Sequence, residues 1–201
     1  IALRADGGLV LGTGEGFYTW NEKDGVKVAA NECDGRAIEH INDIIADPGG
    51  RVFGGQECYQ EDEDYERGFL YRLDPDGSVR IVEEGLGISN GMGFSPDNST
   101  FYLTDSVERS IYAYDYDEAS GEIKHRRSLI IFGQNDGLPD GMSVDSEGFI
   151  WTAHWFGAGI SRFDPDGTFE RKLDLPVAQT SSLMFGGPEL NEIFVTSAGV
   201  M

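Results

Sequence analysis

A repeat of tight-turn clusters is the feature that most limits what this 201-residue chain can fold into. One series runs through Asp6-Gly7-Gly8, Asp47-Pro48-Gly49-Gly50, Ser95-Pro96-Asp97-Asn98 and Asp145-Ser146-Glu147-Gly148. A second, interleaved with it, runs through Lys23-Asp24-Gly25, Asp74-Pro75-Asp76-Gly77, Glu118-Ala119-Ser120-Gly121 and Asp164-Pro165-Asp166-Gly167. Each cluster has a mechanism: Pro presets φ, Gly accepts positive φ, and Asp, Asn and Ser side chains bond nearby backbone. Between the clusters lie short β-branched and aromatic runs at 8–12, 17–20, 26–29, 51–54, 69–73, 100–103, 111–116, 149–153, 160–163 and 193–196. These read as strands, and no segment reads as an amphipathic helix. A unit of about 40–50 residues with two hairpin turns is how a four-stranded propeller blade looks in sequence. The chain is therefore expected to be an all-β, β-propeller domain over residues 1–201, with about four blades.

The register of the repeat points to a site. In each unit the strand leading into the first turn carries a polar residue five positions ahead of it: Asn42 before Asp47, Asn90 before Ser95, Asp140 before Asp145, and Ser181 before Gly186. In a propeller this is the innermost strand of the blade, so equivalent positions face one another around the axis. Polar residues spaced 48, 50 and 41 positions apart are then expected to converge. Turn capping explains any one such polar residue, but it does not require four of them in one register.

Composition narrows the chemistry. The chain has 36 Asp plus Glu against 15 Lys plus Arg, a formal net charge of −21. Nucleic acid and anionic lipid are bound through a basic face that releases counterions, so this charge argues against both as partners. Most of the excess is expected to be solvated surface, of a kind that suits a salt-adapted source. No stretch approaches the roughly 18 apolar residues of a membrane helix, and the first residues lack a signal-peptide pattern. Cys33 and Cys58 cannot build a disulfide framework, and no Cys-x-x-Cys or His-x-x-x-His spacing offers a zinc site. Function must come from oxygen and nitrogen donors.

Four sets of residues, in order along the chain, carry a family resemblance. They are Ile41-Asn42-Asp43 with Asp47-Pro48-Gly49-Gly50-Arg51; Ser89-Asn90-Gly91 with Ser95-Pro96-Asp97 and Thr104-Asp105-Ser106; Leu138-Pro139-Asp140-Gly141-Met142 with Gly148 and Trp151; and Thr180-Ser181-Ser182 with Phe185-Gly186-Gly187 and Val195-Thr196-Ser197-Ala198. Together they resemble the senescence marker protein (regucalcin)/gluconolactonase family. The resemblance implies a six-bladed propeller that hydrolyses sugar lactones with one divalent cation. It also implies that Asn90 and Asp140 are metal ligands, that Asp140 is the proton acceptor, and that Asn42 contacts substrate. His40 stands where the family often has a substrate-contacting Arg; it can donate a hydrogen bond but offers no bidentate fork. Family members carry a metal-binding Glu in their first blade, and Glu15 does not sit in the matching motif. The chain is accordingly expected to be a fragment lacking the first blade or blades and the closing strands. Family habit and the unpaired cysteines make it cytoplasmic by expectation.

Amide and carboxylate oxygens suit Ca²⁺, Mg²⁺ or Mn²⁺ and tolerate Zn²⁺. The expected reaction is opening of a small-molecule sugar lactone, the cation polarising its carbonyl and Asp140 taking a proton from water. The alternative, from a different class, is a non-catalytic propeller that binds calcium or a protein. Among other residues, His125 reads as surface, His154 and Trp155 as candidates for the channel mouth, and Glu61-Asp62-Glu63-Asp64-Tyr65-Glu66 as a solvated insertion or lid. No Gly-x-Ser-x-Gly elbow supports a serine hydrolase. Gly12-Thr13-Gly14-Glu15-Gly16 lacks the βαβ context of a dinucleotide site.

Overall fold

A computed structural model describes residues 1–58 and 67–199; the acidic run 61–66 lies outside the described residues. Every regular element among them is a β-strand, and no helix is long and apolar enough to cross a membrane. The strands group into antiparallel sheets within two compact units.

The first unit holds residues 1–89 and 117–122. It contains β1 (Ala2–Leu3), β2 (Leu9–Thr13), β3 (Gly16–Asn21) and β4 (Gly25–Ala30), paired in that order. A small hairpin, β5 (Glu32–Cys33) with β6 (Arg36–Ala37), leads to a second four-stranded sheet. That sheet is β7 (Ile41–Ala46), β8 (Val52–Gln56), β9 (Gly68–Leu73) and β10 (Val79–Leu86). Phe17, Ile41, Val52 and Tyr71 are buried together in its core.

The second unit holds residues 90–116 and 123–201. Its sheets are β11 (Ser89–Phe94), β12 (Thr100–Asp105), β13 (Ser110–Asp117) and β14 (Glu122–Ile131); β15 (Leu138–Val144), β16 (Ile150–Trp155), β17 (Gly159–Phe163) and β18 (Phe169–Asp174); and the pair β19 (Thr180–Gly186) and β20 (Glu192–Ser197). Tyr102, Ile111, Met142, Ile150 and Phe163 form one core cluster, and Trp151, Ile160 and Leu183 another. Four-stranded antiparallel sheets in chain order, recurring at the expected spacing, are the blades of a β-propeller.

The turns form for the reasons the residues imply. In the four Asp-led turns the glycine three positions on has φ between +80° and +87°, at Gly50, Gly77, Gly148 and Gly167, a region that L-residues with a β-carbon rarely enter. Each glycine N–H donates back to the Asp carbonyl, at 3.0, 2.9, 2.9 and 2.9 Å. At Asp145 the side chain also accepts from the N–H groups of Glu147 and Phe149, both at 3.0 Å. The outermost strands β10, β14 and β18 were not among the runs that read as strands. Their patterns, such as Phe-Glu-Arg-Lys-Leu-Asp in β18, are polar because an edge strand has water on one side and is held mainly by its ladder.

Arg162, in β17, is the charged anchor of the fourth four-stranded sheet. Its guanidinium donates to Asp145 at 2.7 and 3.1 Å, to Glu147 at 2.7 Å and to Glu170 at 3.0 Å, and lies 3.6 Å over the Phe149 ring. Trp151 Nε1 adds a 2.9 Å bond to Asp145. Burial alone would raise the Asp145 carboxyl pKa, but the bonds from Trp151 and Arg162 outweigh it and hold it below 3.8. A carboxyl with a lowered folded pKa stabilises the fold above its ordinary range and loses that contribution as the pH falls through the lowered value. Asp145→Ala is expected to cost about 3–5 kcal/mol in urea unfolding at neutral pH, because it leaves Arg162 partly unpaired in a buried site. Below about pH 4 the gap between the variant and the parent should narrow.

Candidate functional site

Three of the four polar residues singled out by register, Asn42, Asp140 and Ser181, sit at irregularities in the first strand of their sheets. In β7 the pairing with β8 skips Asn42, passing from Ile41 opposite Gln56 to Asp43 opposite Gly55. In β15 it skips Asp140 and Gly141, passing from Pro139 opposite His154 to Met142 opposite Thr152. In β19 it skips Ser181. A β-bulge leaves its extra residue outside the ladder and re-aims its side chain, which is why bulges recur beside active sites.

Asn90 and Asp140 are brought together within the second unit. Residue 91 has to be glycine, since a β-carbon there would lie 2.7 Å from the Asp140 carbonyl oxygen and closer still to the Met142 nitrogen. A hydroxyl completes the link. Ser106 Oγ lies 2.6 Å from the Pro139 carbonyl, which can only accept, so the hydroxyl proton is committed there. Ser106 must then accept from Asn90, whose Nδ2 lies 3.3 Å away. With its nitrogen so placed, Asn90 keeps Oδ1 to offer to a cation or a donor. Ser181 and Ser182 pack against Gly141, where a β-carbon would meet the Ser181 carbonyl at 2.8 Å.

Asn42 and His40 belong to the first unit. Asn42 is exposed and donates from Nδ2 to the Ser89 carbonyl at 3.0 Å. His40 is exposed and held at φ +52°; its N–H donates to the Gly14 carbonyl at 3.2 Å, and its carbonyl accepts from Glu57 N–H at 2.8 Å. Beside them Asp43 accepts from Ile44 N–H at 2.8 Å, and burial raises its carboxyl pKa against that bond. Asp43 stood in the quoted motif without a role, and Ser106 likewise; neither burial nor a hydroxyl's partner is visible in linear spacing.

Three other expectations meet the structure as follows. His125 is exposed and pairs with Asp115 at 2.7 Å, a surface contact. His154 does not line an open mouth: it is only 3% exposed, its Nδ1 bonded to the Asp136 carbonyl at 2.7 Å. Glu15 is exposed in the β2–β3 turn, where it accepts from the Tyr18 hydroxyl at 3.3 Å.

An Asn amide and an Asp carboxylate are hard oxygen donors and fit part of the coordination shell of a divalent cation. Among the described residues no group of three or more His, Cys, Asp or Glu is placed to hold a metal ion. The pair therefore fits as a partial ligand set, to be completed by other oxygens.

Blade-like antiparallel sheets in chain order, with polar residues bulged from several first strands, define a β-propeller. The chain belongs to the SMP-30/gluconolactonase/LRE-like family, whose model matches residues 1–199. It is 46% identical over 159 residues to the pentonolactonase XacC of Haloferax volcanii, covering 79% of this chain and 53% of that protein. It is 37% identical over 203 residues to regucalcin of Xenopus laevis, covering 98% of this chain and 68% of the relative. Among solved structures it matches a regucalcin from Agrobacterium tumefaciens, described as a calcium-binding protein, with a TM-score of 0.87 at 25% identity over 98% of this chain and 66% of that one. The chain thus spans about half of the first of these relatives and about two thirds of the others.

Ser106→Ala should leave Asn90 Nδ2 and the Pro139 carbonyl without their shared partner. The expected loss is about 1–3 kcal/mol in chemical unfolding, the cost of stranding buried polar groups. A variant as stable as the parent would mean that the link is not formed.

Proposed function

We propose that this chain carries the catalytic strands of a divalent-metal-dependent lactone hydrolase acting on sugar lactones. The observation that carries the reading is the Asn90–Ser106–Pro139 chain of hydrogen bonds, which ties the Asn90 amide, through its Nδ2, to the strand of Asp140. The 46% identity to a pentonolactonase supports the substrate class.

In this reading Asn90 Oδ1 and the Asp140 carboxylate hold the cation, which is Ca²⁺, Mg²⁺, Mn²⁺ or Zn²⁺. When bound, the cation supplies Lewis-acid stabilisation of the charge that develops on the lactone carbonyl oxygen. Asp140 takes the proton of the attacking water as the new carbon–oxygen bond forms, and as the ring's acyl C–O bond breaks that proton passes to the leaving alkoxide oxygen, giving the hydroxy acid. Asn42, with Nδ2 committed to Ser89, offers Oδ1 to a substrate hydroxyl. His40, fixed by backbone bonds on both sides, presents its ring to the substrate without the bidentate grip of an Arg. A second reading, a propeller that binds calcium and opens no ring, draws on the calcium-binding description of the Agrobacterium relative.

The discriminating assay is a pH-indicator measurement of D-glucono- and D-xylono-lactone opening. It is run on this chain and on one extended to its relatives' length, with chelator and then with each cation added back. Chelator-sensitive turnover that falls roughly 10²–10⁴-fold in Asp140→Ala, with the fold intact, is the expected result. A thermal shift with calcium, but no lactone opened above background by either chain, would replace the hydrolase reading with the binding one.

A further inference from the structure

A groove of about 560 Å³ runs across the second unit, at the end of its sheets where Asp140 and Ser181 stand. That size falls within the roughly 300–1,000 Å³ of small-molecule sites. Phe156 of the β16–β17 turn forms one wall, Pro176, Val177, Ala178 and Gln179 of the connection from β18 to β19 form another, and Ser197 at the end of β20 closes it. No charged side chain lines it, although the chain carries a net charge of −21.

The groove is continuous with the strands of the lactone site. Trp155 pairs with Leu138, two residues before Asp140, and bridges to Gln179, two residues before Ser181. The Ser181 carbonyl in turn lies 2.8 Å from where a β-carbon on Gly141 would stand. At about 3.3 Å per strand residue, Gln179 is about 7 Å along the chain from Ser181. Polar character carries across that gap: Ser181 Oγ lies 2.8 Å from Thr196 Oγ1, and Ser197 comes next.

Phe156 is held out at the rim by a strained turn. Its φ of +61° is one that a bulky residue seldom adopts, and Ala158 is at +50°. Four bonds fix that shape. Gly157 N–H donates to the His154 carbonyl at 3.0 Å and Ala158 N–H to the Ala178 carbonyl at 3.2 Å. The Ala158 carbonyl accepts from Leu175 N–H at 2.9 Å, and the Gly157 carbonyl from Lys172 Nζ at 2.8 Å. The Phe156 ring is 66% exposed and meets Trp155 edge-on at 5.7 Å. Backbone strain that its surroundings over-determine gathers at ligand clamps.

The donor set defines the guest. A Gln amide and a Ser hydroxyl each donate and accept, and among the described residues neither the Gln179 nor the Ser197 side chain has a hydrogen-bond partner in the protein. An ionic guest would find no counter-charge here. A wholly apolar one would strip water from Gln179 and Ser197 without replacing its bonds. A pyranose ring matches both parts of the wall, with C–H groups on its face for the aromatic ring and hydroxyls at its edge for the amide and the serine.

We propose that this groove is a subsite for a second, neutral sugar ring, so that the lactones accepted include aldobionolactones, in which a glycosyl ring is joined to the lactone ring. The glycosyl ring stacks on Phe156 and places hydroxyls on Gln179 and Ser197. For the position of the first ring, the inference rests on the lactone reading above.

The test uses the extended chain of the lactone assay, with two readouts. The first compares KM for cellobiono-1,5-lactone and D-glucono-1,5-lactone. The two-ring lactone is expected to have a KM about five- to tenfold lower, from one ring contact and its hydrogen bonds. Phe156→Asn removes the ring yet suits the left-handed backbone, and it should erase most of that ratio, as should Gln179→Ala; thermal melts confirm that both variants are folded. The second readout is saturation-transfer NMR with methyl β-D-cellobioside, which has two rings and no ester. Saturation of its non-reducing ring, lost in Phe156→Asn, is expected. Equal KM values for the two lactones, or a ratio that neither substitution changes, overturn the subsite while leaving the hydrolase reading in place. If no lactone is opened at all, the hydrolase reading fails and the NMR decides the groove alone: saturation that depends on Phe156 retains a sugar site, and none overturns it.

Discussion

First strands in this fold run so close together that a β-carbon cannot fit between them, and the rest of the site follows from that spacing. Gly91 abuts the backbone of residues 140–142, and Gly141 abuts Ser181 and Ser182. In the first unit glycines of the second strands face side chains instead: a β-carbon at Gly12 would meet Ile41 and Ile44, and one at Gly55 would meet Ser89. Glycine gives up conformational entropy on folding, so such positions are costly unless close approach is needed. Here it is needed twice directly after a polar residue, in Asn90-Gly91 and Asp140-Gly141. The glycine lets one backbone approach the next, and the polar residue before it is carried to the same edge.

The remaining architecture supplies rigidity around that edge. Asp-led turns with glycine at positive φ set the hairpins, and buried arginines hold segments that strands alone would not. Arg51 pairs with Asp47 and donates to the carbonyls of Glu118 and Ala119, and Arg72 donates to those of Ser120 and Gly121. Arg109, which is only partly buried, donates likewise to the carbonyls of Phe132, Gly133 and Gly137 in the loop before β15. Arg suits this work because its planar fork reaches several acceptors at once and stays charged when partly buried. In a chain with 15 Lys plus Arg, these three arginines bear a structural load alongside any effect on net charge.

Legibility along the chain tracks where the physical cause resides. Turns were readable because Pro, Gly and Asp act on their own backbone, and the middle strands of each sheet because they are apolar, aromatic or β-branched. The outer strands β10, β14 and β18 were not, since their pairing partner rather than their side chains holds them. Asn42, Asn90 and Asp140 were readable as a register, yet nothing in spacing shows that Asn42 and Asp140 are bulged out of their ladders. His154 read as a channel-mouth residue and is buried instead, because a loop carbonyl 18 positions away folds over its Nδ1.

The sequence by itself determined the class of fold, the repeat length, the turn positions and the four equivalent polar positions, because each depends on local backbone preference and on period. It also carried the family, through motifs in a fixed order. Tertiary structure alone decided which of those polar residues share a hydroxyl link, which carboxyl is raised by burial, and which histidine is buried. Those outcomes depend on contacts between residues tens of positions apart, and on how much water the surrounding strands exclude. Neither quantity is written in the spacing of residues along the chain.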